Sequence, residues 1–245
     1  MVHIKFWGKS DVGLRRLNNE DAFVMESQEG FSALADGMGG EAGGEIASQI
    51  FVETASEVFS KRKGFPNRET LEWVKEVFEL ANQRIFNYTK ENPSYQRMGC
   101  TAELVAFDNQ HFVLGHVGDS RTYLFRKGAL KQLTRDHSLV QEQVEQGLIT
   151  PGKAREHSLR NVILRAVGIR ERLTIDLIRG ESVGGDLFLL CSDGLTDMVN
   201  DTSIQETLSS SLSLTEKVGE LIEQAKSAGG FDNVTVVLCE MMGAD

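Results

Sequence analysis

The sequence predicts an α+β fold in which antiparallel sheets are covered by helices. Three observations point that way. Short stretches alternate apolar and polar residues with period two, as Ile4 and Phe6 do against Lys5 and Trp7. Two long stretches place their apolar residues on one helical face. The strands also come in groups, whereas a parallel sheet needs strict strand–helix alternation.

In chain order, Val2, Ile4 and Phe6 mark the first strand, and residues 21–25 and 31–35 read as two more. A helix begins near Gly43, with Ile46, Ala47, Ile50, Phe51, Ala55, Val58 and Phe59 on one side. A second follows Pro66, carries Leu71, Val74, Val77, Phe78, Ala81 and Ile85, and ends at Asn92-Pro93. Strands resume at 102–107, 112–117 and 122–126, and Arg126-Lys127-Gly128 predicts a hairpin turn. Residues 136–165 are polar with short helical patches and read as a mobile surface segment. Leu173, Ile175 and Leu177 alternate as a strand, and residues 187–191 form a buried one. Leu214, Val218, Leu221, Ile222 and Ala225 mark a late helix, and residues 234–238 close the chain as a strand. No linker-like stretch or fixed repeat divides the sequence, so residues 1–245 read as one domain.

The 245 residues are 40% hydrophobic and 25% charged, an ordinary globular balance that supports one sizeable core. A formal net charge of -10 disfavours a duplex nucleic-acid partner, which needs a basic footprint. The three cysteines, Cys100, Cys191 and Cys239, lie in apolar runs without CxxC spacing, as free core thiols in a reducing compartment do. The opening residues lack the apolar region of a signal peptide, and no run approaches a membrane span. Sequence therefore predicts a soluble cytoplasmic protein with no membrane partner, and a monomer, since no heptad or exposed apolar stripe stands out.

Acidic residues repeatedly sit where buried strands start or stop. Two apolar runs end in Asp-Gly, at Asp36-Gly37 and Asp193-Gly194; another ends in Gly118-Asp119; Glu20-Asp21 and Asp232-Asn233 each begin a strand. Singly, Asp-Gly is a common turn signal. Gathered at one end of a sheet, such carboxylates would repel one another and lose hydration unless cations neutralised them. All-oxygen ligation suits hard ions such as Mg²⁺ or Mn²⁺. The EF-hand pattern does not occur, and the acids are too far apart in sequence for one local loop. Two ions roughly 3.5–4 Å apart could hold a hydroxide and clamp a phosphoryl group. Arg16, four residues before Glu20, could reach the same site and offer a phosphate two parallel hydrogen bonds. Gly39, Gly40, Gly43 and Gly44 open the first helix, where they read as devices for tight turning and close packing, with attraction of an anion by the backbone amides of residues 37–44 as the alternative.

The ordered motifs resemble the type-2C, metal-dependent (PPM) protein phosphatases. They are residues 11–21 around Arg16-Leu-Asn-Asn-Glu20-Asp21, Ala35-Asp36-Gly37-Met38-Gly39-Gly40, Gly115-His-Val-Gly-Asp119-Ser120-Arg121, Leu133-Thr-Arg-Asp136-His137-Ser138, Cys191-Ser-Asp193-Gly194-Leu195 and Gly230-Phe-Asp232-Asn233-Val234-Thr235. The match runs over nearly the full chain, and the compact length is similar to the bacterial branch. The resemblance implies a central β-sandwich of two antiparallel sheets flanked by helix pairs. It implies hydrolysis of phosphoserine and phosphothreonine in phosphorylated protein substrates, through a hydroxide bridging two Mg²⁺ or Mn²⁺ ions, and a cognate serine/threonine kinase to oppose.

Residue by residue, it implies that Asp36 bridges the two ions, that Asp193 and Asp232 bind the first, and that the Gly37 carbonyl binds the second. Glu20 and Asp21 would hold metal-bound waters or ligate directly. Asp119 would share a third, weaker ion with Asp193. Arg16 would clamp the substrate phosphate, and residues 136–165 would form a flap over the site.

Three positions depart from the family pattern. Met38 stands where the eukaryotic branch has a proposed general-acid histidine, so the proton must come from elsewhere, with a metal-bound water ahead of His137 as candidate. Cys100 replaces a threonine, which raises the question of redox sensitivity, and Glu103 is unusual in its strand. His3, His111, His116 and His157 lack metal-ligand spacing and read as structural. The complete set Asp36, Asp193 and Asp232 argues against a catalytically dead binding module, while a small phosphomonoester remains an alternative substrate.

Overall fold

The computed structural model describes residues 4–39, 43–64 and 69–243. Eleven strands and seven α-helices are found among them. The strands are β1 (Ile4–Asp11), β2 (Asp21–Glu26), β3 (Phe31–Met38), β4 (Gly99–Cys100), β5 (Ala102–Asp108), β6 (His111–Val117), β7 (Arg121–Arg126), β8 (Ala129–Gln132), β9 (Asp176–Glu181), β10 (Leu187–Cys191) and β11 (Val234–Met241). The helices are α1 (Gly44–Ser60), α2 (Thr70–Glu91), α3 (Leu139–Glu145), α4 (Pro151–Arg155), α5 (Asp193–Thr196), α6 (Asp201–Ser209) and α7 (Leu214–Ser227).

One sheet has the order β1-β11-β10-β7-β8; the other runs β2-β3-β5-β6-β9, with β4 paired to β3. Every pairing between these strands is antiparallel. Between the sheets lies an apolar layer that includes Leu34, Val105, Phe107, Phe112, Leu114, Phe188, Leu190 and Val237. Phe188 sits at its middle, edge-on to Phe107 at 5.1 Å and to Phe112 at 4.9 Å. Such aromatic pairs contribute about 0.5–1.5 kcal/mol each beyond the area they bury.

The outer faces are covered as well. Ala33, Ala35, Leu104 and Ala106 alternate with the inner-layer residues and pack with Phe51, Val74 and Phe78 of α1 and α2. Leu189, Val236 and Leu238 do the same beneath Leu195, Ile204, Leu208, Leu221 and Ile222 of α5, α6 and α7. Burial on both faces explains why β5 and β10 read as near-continuous apolar runs although their sheets are antiparallel. The predicted sandwich flanked by helices is thus the observed architecture.

Local signals account for most boundaries. The hairpin β7–β8 turns through Lys127 and Gly128, both at positive φ (51° and 82°), the geometry of a two-residue turn that follows sheet twist. Helix α7 starts at a full capping box between Ser213 and Glu216. Val2 and Pro66, which the sequence places in the first strand and before the second helix, lie outside the described residues, as does Gly40.

One expectation needs correction, and one helix carried no expectation at all. The strand assigned to Leu173, Ile175 and Leu177 begins only at Asp176, and Leu177 faces outward while Ile178 points into the inter-sheet layer. Leu173 and Ile175 instead pack from irregular chain against the first helical cluster. Strand β9 is an edge strand, paired to β6 alone, so little in its own alternation fixed its phase. Helix α6 was not foreseen: its only apolar buried residues are Ile204 and Leu208, and its start is set by Asn200, whose Oδ1 accepts from Ser203 N–H at 3.0 Å.

Residues 136–165 leave and rejoin the sandwich through a narrow neck. Ser138 bridges to Ile163, Leu139 N–H donates to the Val162 carbonyl at 2.9 Å, and Leu164 N–H donates to the His137 carbonyl at 2.7 Å. Helices α3 and α4 lie in this excursion, capped by Ser138 and Thr150.

Candidate active site

The predicted acids converge at one end of the sandwich. Asp21, the first residue of β2, stands directly opposite Asp36 near the end of β3. From the other sheet, Asp193 follows β10 and Asp232 precedes β11. Asp119 lies in the connection that crosses from β6 in one sheet to β7 in the other. Both sheets therefore contribute.

The backbone around them is packed too closely for side chains. A Cβ on Gly37 would lie 2.1 Å from the Gly44 carbonyl oxygen, and one on Gly44 would lie 2.7 Å from Glu20 Oε2. Gly37 N–H donates to the Glu20 carbonyl at 3.0 Å. These glycines let the start of α1, the end of β3 and the Glu20 loop approach one another, the close-packing role that the sequence suggested.

Hydroxyls and amides the sequence did not single out hold the acids in place. Asp21 Oδ2 accepts from Thr235 Oγ1 at 2.6 Å and from Ser192 Oγ at 2.8 Å, which ties the first sheet to the second. Thr101 N–H donates to the Asp36 carbonyl at 2.8 Å, while Asp36 N–H donates to Thr101 Oγ1 at 3.2 Å. Thr101 Oγ1 also meets Ser120 Oγ at 2.7 Å, beside Asp119. Asn233, buried, pins the Arg16–Glu20 loop: its Nδ2 donates to the carbonyls of Val12 and Asn18, and its Oδ1 accepts from Glu20 N–H. Ser120, Ser192 and Asn233 stand next to an acid at a strand end in the sequence, whereas Thr101 and Thr235 have no acidic neighbour to mark them.

Arg16 Nη2 donates to Asp232 Oδ2 at 2.7 Å, and Asp232 Oδ1 accepts from Asn233 N–H at 2.8 Å. The hydrogen bond to Asp232 raises the Arg16 pKa. Half of the Arg16 side-chain surface is exposed, so screening leaves this pair weak enough to exchange partners.

Electrostatically the cluster is frustrated. Burial, reinforced by Asp21, Asp193, Asp119 and Asp232, pushes the Asp36 carboxyl well above the usual carboxylate range. Asp193 is driven up likewise, by burial and then by Asp119 and Asp197. Burial lifts Asp21 to about 6 against the hydrogen bonds from Thr235 and Ser192, and burial with Asp136 lifts Asp119 to about 7. Glu20 is raised by burial and by Glu45.

Two buried oxygens, Asp21 Oδ1 and Asp119 Oδ1, have no hydrogen-bond partner. Among the described residues no three His, Cys, Asp or Glu side chains stand around a single point as a finished cage. The two findings are compatible. The acids are close enough to raise one another's proton affinity, but Asp21 and Asp232 are held in hydrogen bonds of their own. Unpartnered buried carboxylate oxygens, mutual repulsion and an all-oxygen donor set fit hard divalent cations such as Mg²⁺ or Mn²⁺.

A sequence profile described as protein phosphatase 2C matches residues 14–228. This chain belongs to the protein phosphatase 2C family. It is 35% identical over 243 residues to the serine/threonine phosphatase stp of Listeria monocytogenes, covering 98% of this chain and 96% of that protein. It is 38% identical over 242 residues to the serine/threonine protein phosphatase PstP of Mycobacterium tuberculosis, where the match spans 99% of this chain and 46% of that longer protein. The crystal structure of the catalytic domain of PstP in complex with two manganese ions superimposes with a TM-score of 0.90 at 36% identity, covering 99% of this chain and 100% of that one. This chain is accordingly a metal-dependent protein phosphatase.

The positions that depart from the phosphatase 2C pattern resolve as follows. Cys100 is fully buried with its Sγ on the Ala47 carbonyl, and burial pushes its thiol up, so the question of redox sensitivity is answered against it. Cys191 and Cys239 are buried and free as well. His137 accepts from Gly118 N–H at Nδ1 and faces Asp176 with Nε2 at 3.2 Å. Burial and the neighbouring His116 lower its pKa to about 4, so the ring is neutral at pH 7 and has both nitrogens engaged. Glu103 is fully buried and bonded to His116 Nδ1, and it accepts from Thr122 Oγ1 at 2.5 Å. His116 Nε2 reaches the Arg135 carbonyl at 2.8 Å. His116 is therefore structural, as its sequence context suggested.

Proposed function

We propose that this protein phosphatase hydrolyses phosphoserine and phosphothreonine on protein substrates with Mn²⁺ or Mg²⁺ held by Asp36, Asp193 and Asp232, the Gly37 carbonyl, and Glu20 or Asp21. The observation that carries the assignment is the convergence of Asp21, Asp36, Asp119, Asp193 and Asp232 from both sheets, with two buried carboxylate oxygens unpartnered. Asp119 and Asp193 would hold a third, weaker ion. Divalent cations bound there neutralise phosphoryl charge and lower the pKa of water enough for attack at neutral pH.

The chain's own groups do the rest. Arg16 leaves Asp232 for the phosphate, donates two parallel hydrogen bonds to its oxygens and so orients the phosphorus for in-line attack. Attack forms a new P–O bond as the bond to the seryl or threonyl oxygen breaks, and that oxygen needs a proton. Met38 carries none, and His137 is neutral and enclosed, so the proton arrives through solvent. Residues 136–165 act as a flap: α3 and α4 hang from the neck at Ser138 and Ile163 and wall a cavity of about 230 Å³ that also touches Asp119 and Asp193.

The enzyme works as a single-domain monomer in the cytoplasm, opposing a serine/threonine kinase. The family match over most of the chain supports the single domain; no helix among the described residues is long and apolar enough to cross a membrane. The test is hydrolysis of a phosphothreonine peptide with Mn²⁺, with Mg²⁺ and with EDTA, alongside Asp36→Asn and Asp193→Asn. Metal-dependent activity lost in both variants is expected; a folded wild-type protein that leaves the peptide intact in Mn²⁺ would sink the assignment.

A further inference from the structure

Beside the carboxylate cluster runs a groove of about 570 Å³ that starts at Met38, two residues beyond Asp36, and extends past Ile169 to Arg170 and Arg172. Its floor is apolar, with Leu164 and Ile169 41% and 43% exposed. Its rim is cationic in a chain of net charge -10. Two of the four lining arginines are already committed, Arg165 to Asp176 at 3.0 Å and Arg135 to Glu145. Arg170 and Arg172 have no acidic partner among the described residues. Of the acids in the lining, Asp136 is tied to Arg121 and Gln132, and Glu142 stands on the flap side.

The wall that carries these two arginines is fixed from beneath. Asn82 of α2, 3% exposed, accepts from Gly168 N–H at 2.8 Å and donates to the carbonyls of Arg170 at 2.9 Å and Glu171 at 3.2 Å. Gly168 has φ of 89°, and a Cβ there would lie 2.1 Å from Ile85, so the turn sits directly on α2. Val167 exchanges both backbone hydrogen bonds with Cys100, and Cys100 pairs in turn with Gly37. Two ladder steps of roughly 5 Å therefore separate the wall from the strand that carries Asp36. An extended peptide advances about 3.3 Å per residue. A substrate whose phosphorylated residue lies at Asp36 thus brings residues roughly two to five positions away over the groove. A wall ordered in advance lowers the ordering cost of binding.

We propose that this groove docks an acidic stretch of the substrate polypeptide flanking the phosphorylated residue, with Arg170 and Arg172 receiving its carboxylates and the Met38–Ile169 floor receiving its backbone. The proposal rests on the phosphatase assignment above and adds a substrate preference to it.

The test uses phosphothreonine peptides of one length bearing glutamates at positions two to five on the N-terminal side, on the C-terminal side, or glutamines in both. The kcat/KM of each is measured with Mn²⁺ at low and high salt for the wild type, Arg170→Gln/Arg172→Gln and Asn82→Ala. Hydrolysis of p-nitrophenyl phosphate by the wild type reads the catalytic centre without the groove. A preference of roughly tenfold for glutamates on one side is expected, expressed mainly in KM and weakened by salt. It shrinks to about twofold or less in the double arginine variant, and it also shrinks in Asn82→Ala, where the charges remain but their support is lost. Wild-type enzyme that turns over p-nitrophenyl phosphate yet treats all peptides alike overturns the groove alone. So does a preference that survives in the double variant. Failure on p-nitrophenyl phosphate as well overturns the catalytic assignment and the groove with it.

Discussion

Glu103, fully buried, and Asp36, half-buried, are acids on adjacent strands of one sheet, and the fold treats them in opposite ways. Leu34 of β3 pairs with Glu103 of β5, which places Asp36 two residues beyond the Glu103 rung. Glu103 is completed by the protein, with His116 on one oxygen and Thr122 on the other. Burial raises the Glu103 pKa, while Glu103 overrides the burial of His116 and lifts its imidazole to about 9. The groups that act most strongly on Asp36 are other acids, Asp21, Asp193, Asp119 and Asp232, and with burial they drive its carboxyl up. A buried acid that the fold needs is given a partner, whereas acids left without one mark where a ligand must supply the missing charge.

The sharpest way to break this contrast is to remove charge from each region in turn. If Asp36 and Asp193 hold cations as proposed, Asp36→Asn or Asp193→Asn is expected to lower kcat by roughly 10³-fold or more. In EDTA the same variants should be more stable than the wild type, with Tm higher by about 2–4 °C for each kcal/mol of repulsion relieved. Thermal melts with and without chelator check both signs.

Glu103→Ala should do the reverse. It leaves His116 buried without its partner and costs about 3–5 kcal/mol whether or not metal is present. Chemical denaturation in EDTA and in Mn²⁺ should give the same loss, and a loss confined to one condition would show that the two regions are not separate.

Arg16→Ala is expected to reduce kcat/KM for a phosphopeptide by about 10- to 100-fold, corresponding to one or two charge-assisted hydrogen bonds to phosphate. Arg16→Lys, which loses the paired donors, should recover only part of it.

The smallest effect per step is the pH dependence of the metal-free protein. Asp21 and Asp119 have pKa values of about 6 and about 7, above those of an unfolded aspartate. The folded state then binds more protons than the unfolded state between about pH 4 and 7, so stability in EDTA falls as pH rises, by up to about 1.4 kcal/mol per pH unit for each proton held. Mn²⁺ competes with those protons, and its stabilisation should be larger at pH 7 than at pH 5. Melting curves across that range, with and without Mn²⁺, provide the check.

How far these regions could be read from sequence also differs. The acids were legible because each sits at the end of an apolar run, and five such ends in one chain are hard to explain as turns alone. The hydroxyls that hold them were not, since Thr235 and Ser192 meet Asp21 only after the two sheets stack. Glu103 stood out as odd in its strand, but its partner His116 is opposite it across a hairpin and Thr122 lies in the other sheet, so register and sheet stacking had to be known. The phase of β9 and the existence of α6 failed for a related reason: an edge strand and a short polar helix are fixed by their neighbours more than by their own pattern.

Strand β11 lies between β1 and β10, and the acid just before it, Asp232, faces Arg16 near the other end of the chain. Without β11, β1 and β10 lose the strand that joins them, so the five-stranded sheet falls into two pieces and the loop that brings Asp232 to Arg16 loses its anchor.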